Sequence, residues 1–156
     1  MRLKIFSDVR YLPEDINPTL LLEPFRLGKR ANSLPPWEKR LSNYTEISHS
    51  LFEITSLEEA DFAVLPFDWV DVTGHSWKTK INQSAYALGI EFVQKVKQAG
   101  KPLIIFYSGD RSHDSIPIQN AIVFRQSIIG PRRQLQEFAF IALYEDLVQY
   151  YLGNEL

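Results

Sequence analysis

The chain has 156 residues, 45% of them hydrophobic and 13% aromatic, with a formal net charge of −2 and no cysteine. That length fits one domain, and a domain near this size buries roughly two-thirds of the surface its unfolded chain exposes, so disorder is excluded. The charge balance leaves no basic stripe for nucleic acid. The missing cysteine excludes disulfides, thiol nucleophiles and thiolate metal sites.

The opening residues carry too short an apolar run for a signal peptide, and no run of about 18 apolar residues exists to span a membrane. Composition therefore predicts a soluble, cytoplasmic protein with no membrane span and no nucleic-acid partner.

In chain order, Leu3–Phe6 reads as an opening strand that ends at Ser7-Asp8. From Tyr11 to about Asn43 prolines are frequent: Pro13, Pro18, Pro24, Pro35 and Pro36. Asn17-Pro18 suits a helix cap followed by proline at the first helical position, while Pro24 rules out a long helix there. A second short helix beginning near Pro36 would put Trp37 and Leu41 on one face. Leu51–Thr55 reads as a strand, with His49 before it in a structural role. Ser56 and Glu59 fit a capping box, so a single helical turn should lead to the next strand, Phe62–Leu65.

Asn82–Ala99 is the clearest helix. Ala85, Leu88, Phe92, Val96 and Ala99 recur at helical spacing, Lys95 and Lys97 fall in the last turn, and Gly100 and Pro102 stop it. Leu103–Tyr107 follows as a buried strand, then a polar loop, then Ala121–Phe124 ending on Arg125. After Pro131 two readings stay open: one long helix, or an extended crossing segment followed by a helix from about Glu145 to Leu152. Short apolar strands alternating with helices predict an α/β fold: a single Rossmann-like domain over residues 1–156, with a mostly parallel sheet of about 4–6 strands and helices on both faces.

Polar groups gather at the predicted strand ends. Asp8, Asp68 and Asp110 each follow a strand, and Arg125 ends another. In open α/β sheets ligands sit beyond the carboxyl ends of the strands, so these residues would converge on one rim, with Arg10, Trp69, His75, Arg111, His113, Asp114 and Asn120 as neighbours. The alternative is that each aspartate only caps a turn, and that Trp69 and Trp77 are core or lid residues rather than sugar platforms. Gly109-Asp110 is weakly similar to a phosphoesterase metal motif. However, Asp8-Val9-Arg10 has arginine where a histidine ligand is needed, and no Gly-Asn-His follows; no metal is expected. A glycine-rich phosphate loop and a Gly-x-Ser-x-Gly elbow are both missing.

Two stretches carry a family resemblance. FEITSLEEADFAVLPFDW, with its acidic-Ala-Asp, apolar strand and Pro-Phe, resembles a segment of exostosin-like glycosyltransferases. SIPIQNAIVFRQSI, followed by RRQLQEFAF and YEDLVQYYLGNEL, is similar to the middle of bacterial members of that group. The similarity covers most of the chain from about Phe52 onward.

The resemblance implies a GT-B architecture, metal-independent and without another cofactor, in which an N-terminal half binds the acceptor and a C-terminal half the nucleotide sugar. This chain resembles the N-terminal half alone. The expected function is therefore the acceptor-binding domain of an inverting glycosyltransferase, incomplete without a donor-binding half. Asp68 is the first candidate for the general base and His75 the second. Asp8, Arg10, Trp69, Asp110, Arg111, Asn120 and Arg125 would bind the acceptor, a glycan or small hydroxyl compound.

The alternative is a non-catalytic carbohydrate- or partner-binding domain derived from such an enzyme. Expected partners are a separate donor-binding domain, or a second copy reached through Phe138–Leu152.

Overall fold

Leu3–Phe6 (β1) is extended, as its apolar run predicts, and it sits inside a sheet rather than at an edge. The protein is represented by a computed structural model that describes residues 2–25, 38–74, 81–110, 114, 116–119 and 121–140. The other described elements are α1 (Glu38–Leu51), β2 (Phe52–Ile54), β3 (Phe62–Val64), α2 (Val70–Thr73), α3 (Gln83–Gln98), β4 (Leu103–Tyr107), β5 (Ala121–Arg125) and β6 (Glu137–Ala139). Short 3₁₀ turns lie at Val9–Tyr11, Leu20–Phe25 and Gly130–Arg132. The six strands make one sheet in the order β2-β1-β3-β4-β5-β6, and every neighbouring pair is parallel. This is a Rossmann-like α/β domain.

Alternation along the strands divides the core in two. Phe6, Ala63, Leu65, Leu103, Ile105, Tyr107, Ala121 and Val123 point to one face and pack with Ala85, Phe92 and Val96 of α3. Ile5, Val64, Ile104 and Phe106 belong to the other face, where Leu21 and Leu22 of the 3₁₀ segment join them. α1 packs against that segment and β2, so helical elements pack on both faces of the sheet.

The helix α3 follows its sequence signals closely. The Asn82 side chain accepts from the Ala85 amide at 3.1 Å, Lys95 and Lys97 lie in the last turn, and Gly100 has a φ of 66°. That left-handed conformation suits glycine and ends the helix. On the inner side Phe92 stacks on Phe6 at 5.8 Å and meets Tyr11 edge-on at 5.3 Å.

Several sequence expectations change. Leu51 ends α1 rather than starting a strand, and the helix before it is 14 residues long rather than short. Its polar residues are satisfied locally or on neighbours: Ser48 and Ser50 hydroxyls donate to the carbonyls of Thr45 and Ile47, and the Tyr44 hydroxyl donates to the Leu21 carbonyl at 2.6 Å. Tertiary anchoring of this kind outweighs weak propensity. Burial pushes the Tyr44 hydroxyl up to about 12.

The turn after β2 exists, with the Ala60 amide donating to the Ser56 carbonyl, but its side-chain pairs are shifted. Thr55 Oγ1 donates to Glu59 Oε2 at 3.0 Å, so the Glu59 carboxylate is engaged by Thr55. Beyond Asn17-Pro18 the chain forms a 3₁₀ segment holding Pro24, not an α-helix. After Pro131 the chain forms a 3₁₀ turn and then β6, so this stretch is not one long helix. The helix expected from Glu145 lies outside the described residues.

Phe92 is fully buried between β1 and the turn after it. Phe92→Ala should lower unfolding free energy by about 3–5 kcal/mol in a urea titration, the range for deleting a buried aromatic side chain.

Candidate functional site

The strand order sets where a ligand can enter. From β1 the chain moves outward to β2, then returns past β1 to β3 and continues the other way. The crevice beyond the carboxyl ends of β1 and β3 is therefore the topological switch point.

Proline at the end of β3 does not stop the pairing; it bulges it. The Leu65 amide donates to the Ile104 carbonyl at 3.0 Å, and the Trp69 amide to the Phe106 carbonyl at 2.8 Å. Pro66, Phe67 and Asp68 stand between those two bonds where a regular ladder would have one residue, so the bulge adds two, and Pro66 lies where no donor to β4 is needed. The Pro66 carbonyl accepts from the Thr19 amide at 2.8 Å. Phe67 is fully buried, and Trp69, only 1% exposed, meets Tyr86 edge-on.

Asp68 clamps this bulge to the end of β4. Its Oδ1 accepts from the amides of Val70 and Ser108, both at 3.0 Å, and its Oδ2 lies 3.2 Å from the Ser108 amide. Close packing seals the junction. A Cβ on Gly109 would stand 2.8 Å from the Tyr107 ring and 3.0 Å from Val70.

Asp8 closes the end of β1. It accepts from the Arg10 amide at 3.0 Å, and the Arg10 guanidinium donates to both its oxygens, at 2.6 Å from Nη2. Lys95 Nζ lies 3.8 Å away, above the rings of Phe6 and Tyr11. The bond from Arg10 holds the Asp8 carboxyl below its ordinary value against the opposing effect of burial.

Arg125 turns inward. Its side chain is 2% exposed, Nε lies 2.8 Å from Glu137 Oε1, and Nη2 donates to the Asp114 carbonyl. The guanidinium covers the Tyr107 ring at 4.8 Å. The Tyr107 hydroxyl contacts Asp114 Oδ2 at 3.2 Å and Thr73 Oγ1 at 3.1 Å; burial, the largest cause, raises its pKa. These groups lock β4, β5 and β6 together.

A groove opens beside the end of β1, between residues 9–16 and the first two turns of α3. Its volume is about 720 Å³, within the usual range for small-molecule sites. Arg10, Glu14, Asp15 and Ser84 supply polar groups, while Leu12, Pro13 and Leu88 supply apolar ones.

The expected site residues thus divide. Asp8, Arg10, Asp68 and Asp110 remain near the carboxyl edge, and Asp110 is exposed. Trp69 and Arg125 are committed to the interior, so neither presents a free surface to an acceptor. His75, Arg111 and Asn120 lie outside the described residues, as do Trp77 and His113. Sequence reasoning missed Glu14, Asp15 and Ser84. Ser84 and Leu88 stand four apart on α3, a spacing that places them on one face, but only the fold brings residues 9–16 beside them.

No family model, no curated protein and no solved structure matches this chain. Among the described residues no group of acidic, histidine or cysteine side chains is arranged to hold a metal ion, and no helix is long and apolar enough to cross a membrane.

Asp68→Ala should cost about 1–3 kcal/mol in chemical denaturation, because it strands amides at a buried junction. Asp68→Asn keeps an acceptor oxygen and should cost much less. Because the folded Asp8 pKa lies below its ordinary value of 3.8, its stabilisation is present above that value and is lost as pH falls through the folded pKa. Asp8→Asn should therefore lower stability at neutral pH and flatten the acid-unfolding limb below about pH 4.

Proposed function

We propose that this chain is the acceptor-binding domain of a sugar transferase of the exostosin-like kind, and that the groove beside Asp8 and Arg10 receives the acceptor. The observation that carries this reading is the groove at the open end of β1, next to the switch point, with polar and apolar walls together. Carboxylates of Glu14 and Asp15, the Ser84 hydroxyl and the outer N–H groups of Arg10 are suited to bonding ring hydroxyls. Leu12, Pro13 and Leu88 are suited to the apolar C–H side of a sugar. The resemblance of Phe52–Trp69 to such transferases supports the same class, since that stretch builds β2, β3 and the bulge behind the groove.

Transfer needs a donor held beside the acceptor, because positioning supplies much of the rate. A second, donor-binding domain is accordingly part of this proposal. A base must approach the acceptor hydroxyl within about 3 Å, and Asp68 would act through Oδ2, since Oδ1 holds two amides.

That commitment of Asp68 to the backbone also favours a second reading: a non-catalytic carbohydrate-binding domain that retains the groove without the chemistry. Titrating the labelled protein with a panel of glycans and with nucleotide sugars separates them. A glycan that shifts the amides of Val9–Ile16, Ser84 and Leu88, and binds at least about tenfold more weakly to Glu14→Gln/Asp15→Asn, supports acceptor binding in the groove. Selective nucleotide-sugar binding would overturn the acceptor assignment. In an enzyme completed by its donor-binding half, unchanged turnover after Asp68→Asn would overturn the assignment of Asp68 as the base.

A further inference from the structure

The groove beside Asp8 and Arg10 is unevenly charged. Among the described residues its lining holds one cation, Arg10, and two carboxylates, Glu14 and Asp15. The cation is already engaged. Arg10 Nε donates to both oxygens of Asp8, at 3.1 and 3.0 Å, and Nη2 donates to Oδ2 at 2.6 Å. Lys95 faces the same carboxylate: its Nζ lies 3.8 Å from Asp8 Oδ2, above the rings of Phe6 and Tyr11. Two cations thus converge on one carboxylate. Glu14 and Asp15 are exposed, and neither side chain has a hydrogen-bond or ion-pair partner among the described residues. Both occupy the centre of a turn that the Ile16 amide closes onto the carbonyl of buried Pro13 at 3.1 Å, so their backbone is held against the groove.

This distribution separates anionic from cationic ligands. Arginine receives a carboxylate or phosphate by presenting two parallel N–H groups of its fork. In Arg10 the side of the fork made by Nε and Nη2 is taken by Asp8, which also balances the charge. An anion entering the groove meets that balanced pair and two uncompensated carboxylates, which repel it. A protonated amine reaches Glu14 and Asp15 without displacing a protein contact. Its three N–H donors suit two groups that only accept, and bonds between ionised partners are stronger than neutral ones.

We infer that the acceptor taken by this groove is an amino sugar, held through its protonated amine by Glu14 and Asp15. The groove itself makes the site; the two carboxylates set which sugar it prefers. Leu12, Pro13 and Leu88 receive the C–H side of the ring, and Ser84 bonds a ring hydroxyl. The inference rests on the reading of the groove as an acceptor site and adds the charge of the acceptor.

Three methyl glycosides that share one ring serve as probes: the glucosaminide, the glucoside and the glucuronide. Each is titrated into the isotope-labelled full chain at low salt and about pH 6, where the amine and the carboxylates are all charged. The expected result is shifts at the amides of Val9–Ile16 and Ser84, with the glucosaminide bound roughly fivefold or more tighter than the glucoside and the glucuronide weakest. Salt at about 0.5 M should shrink that preference. Glu14→Gln with Asp15→Asn should erase the preference for the amine and leave the amide spectrum of the sheet unchanged. Equal binding of glucosaminide and glucoside in the groove, or tightest binding of the glucuronide, would overturn the amino-sugar inference and leave the acceptor reading standing. If no glycoside moves the groove amides, the acceptor reading fails and the inference falls with it.

Discussion

Five residues after β3 determine how the whole carboxyl edge is built. Three residues, where a regular ladder has one, stand between the amides of Leu65 and Trp69 that pair with β4, so the strand bulges, and Pro66 sits where no donor to β4 is needed. The bulge drops Phe67 and Trp69 into the core against α3. It offers the Pro66 carbonyl to Thr19, and it leaves Asp68 beside the amide of Ser108. One irregularity thus ties β3 to β4, brings the segment after β1 across the edge, and sets the packing of the helix that follows. A carboxylate in that position stabilises first; any chemistry it performs must use what its amide bonds leave over.

The position of the groove follows from this arrangement. With Thr19 held against Pro66, the segment from Val9 onward is drawn over the crevice instead of away from it, and residues 9–16 face the start of α3. Asp8 and Arg10 then form a rigid corner: the guanidinium is held at both carboxylate oxygens, a geometry a lysine could not reproduce. The ion pair of Arg125 and Glu137 works on the other side of the sheet's centre. There burial is nearly complete, and removing one partner would strand the other.

Much of the fold was legible in the sequence because its signals are local. The α3 helix announces itself through Asn82, its apolar stripe and Gly100, and the strands through short apolar runs between turn residues. What misled was residue type without context. Arg125 and Trp69 look like site residues in sequence because both follow an apolar run. In the fold Arg125 points to the α3 face by register with Tyr107, and Trp69 is turned inward by a bulge that no periodicity reveals. The extent of α1 was also hidden, since its serines bond carbonyls of the helix itself and its Tyr44 hydroxyl is satisfied only when the helix lies beside Leu21. Glu14 and Asp15 gave no sign at all, because their relevance depends on a segment crossing between elements far apart in sequence.

Among the described residues, the seven-residue crossing from β2 to β3 places no helix on the α3 side of the sheet's margin beside β2. Its side chains there are charged: Lys4 and Glu53 stand in register, Arg2 reaches Glu53 at 3.1 Å, and Lys4 approaches Glu59. An edge strand only three residues long, with a charged residue at its centre, is a poor template for another strand. Ionic groups on this margin thus act as a guard against edge-to-edge aggregation, so that the sheet ends where the chain needs it to end.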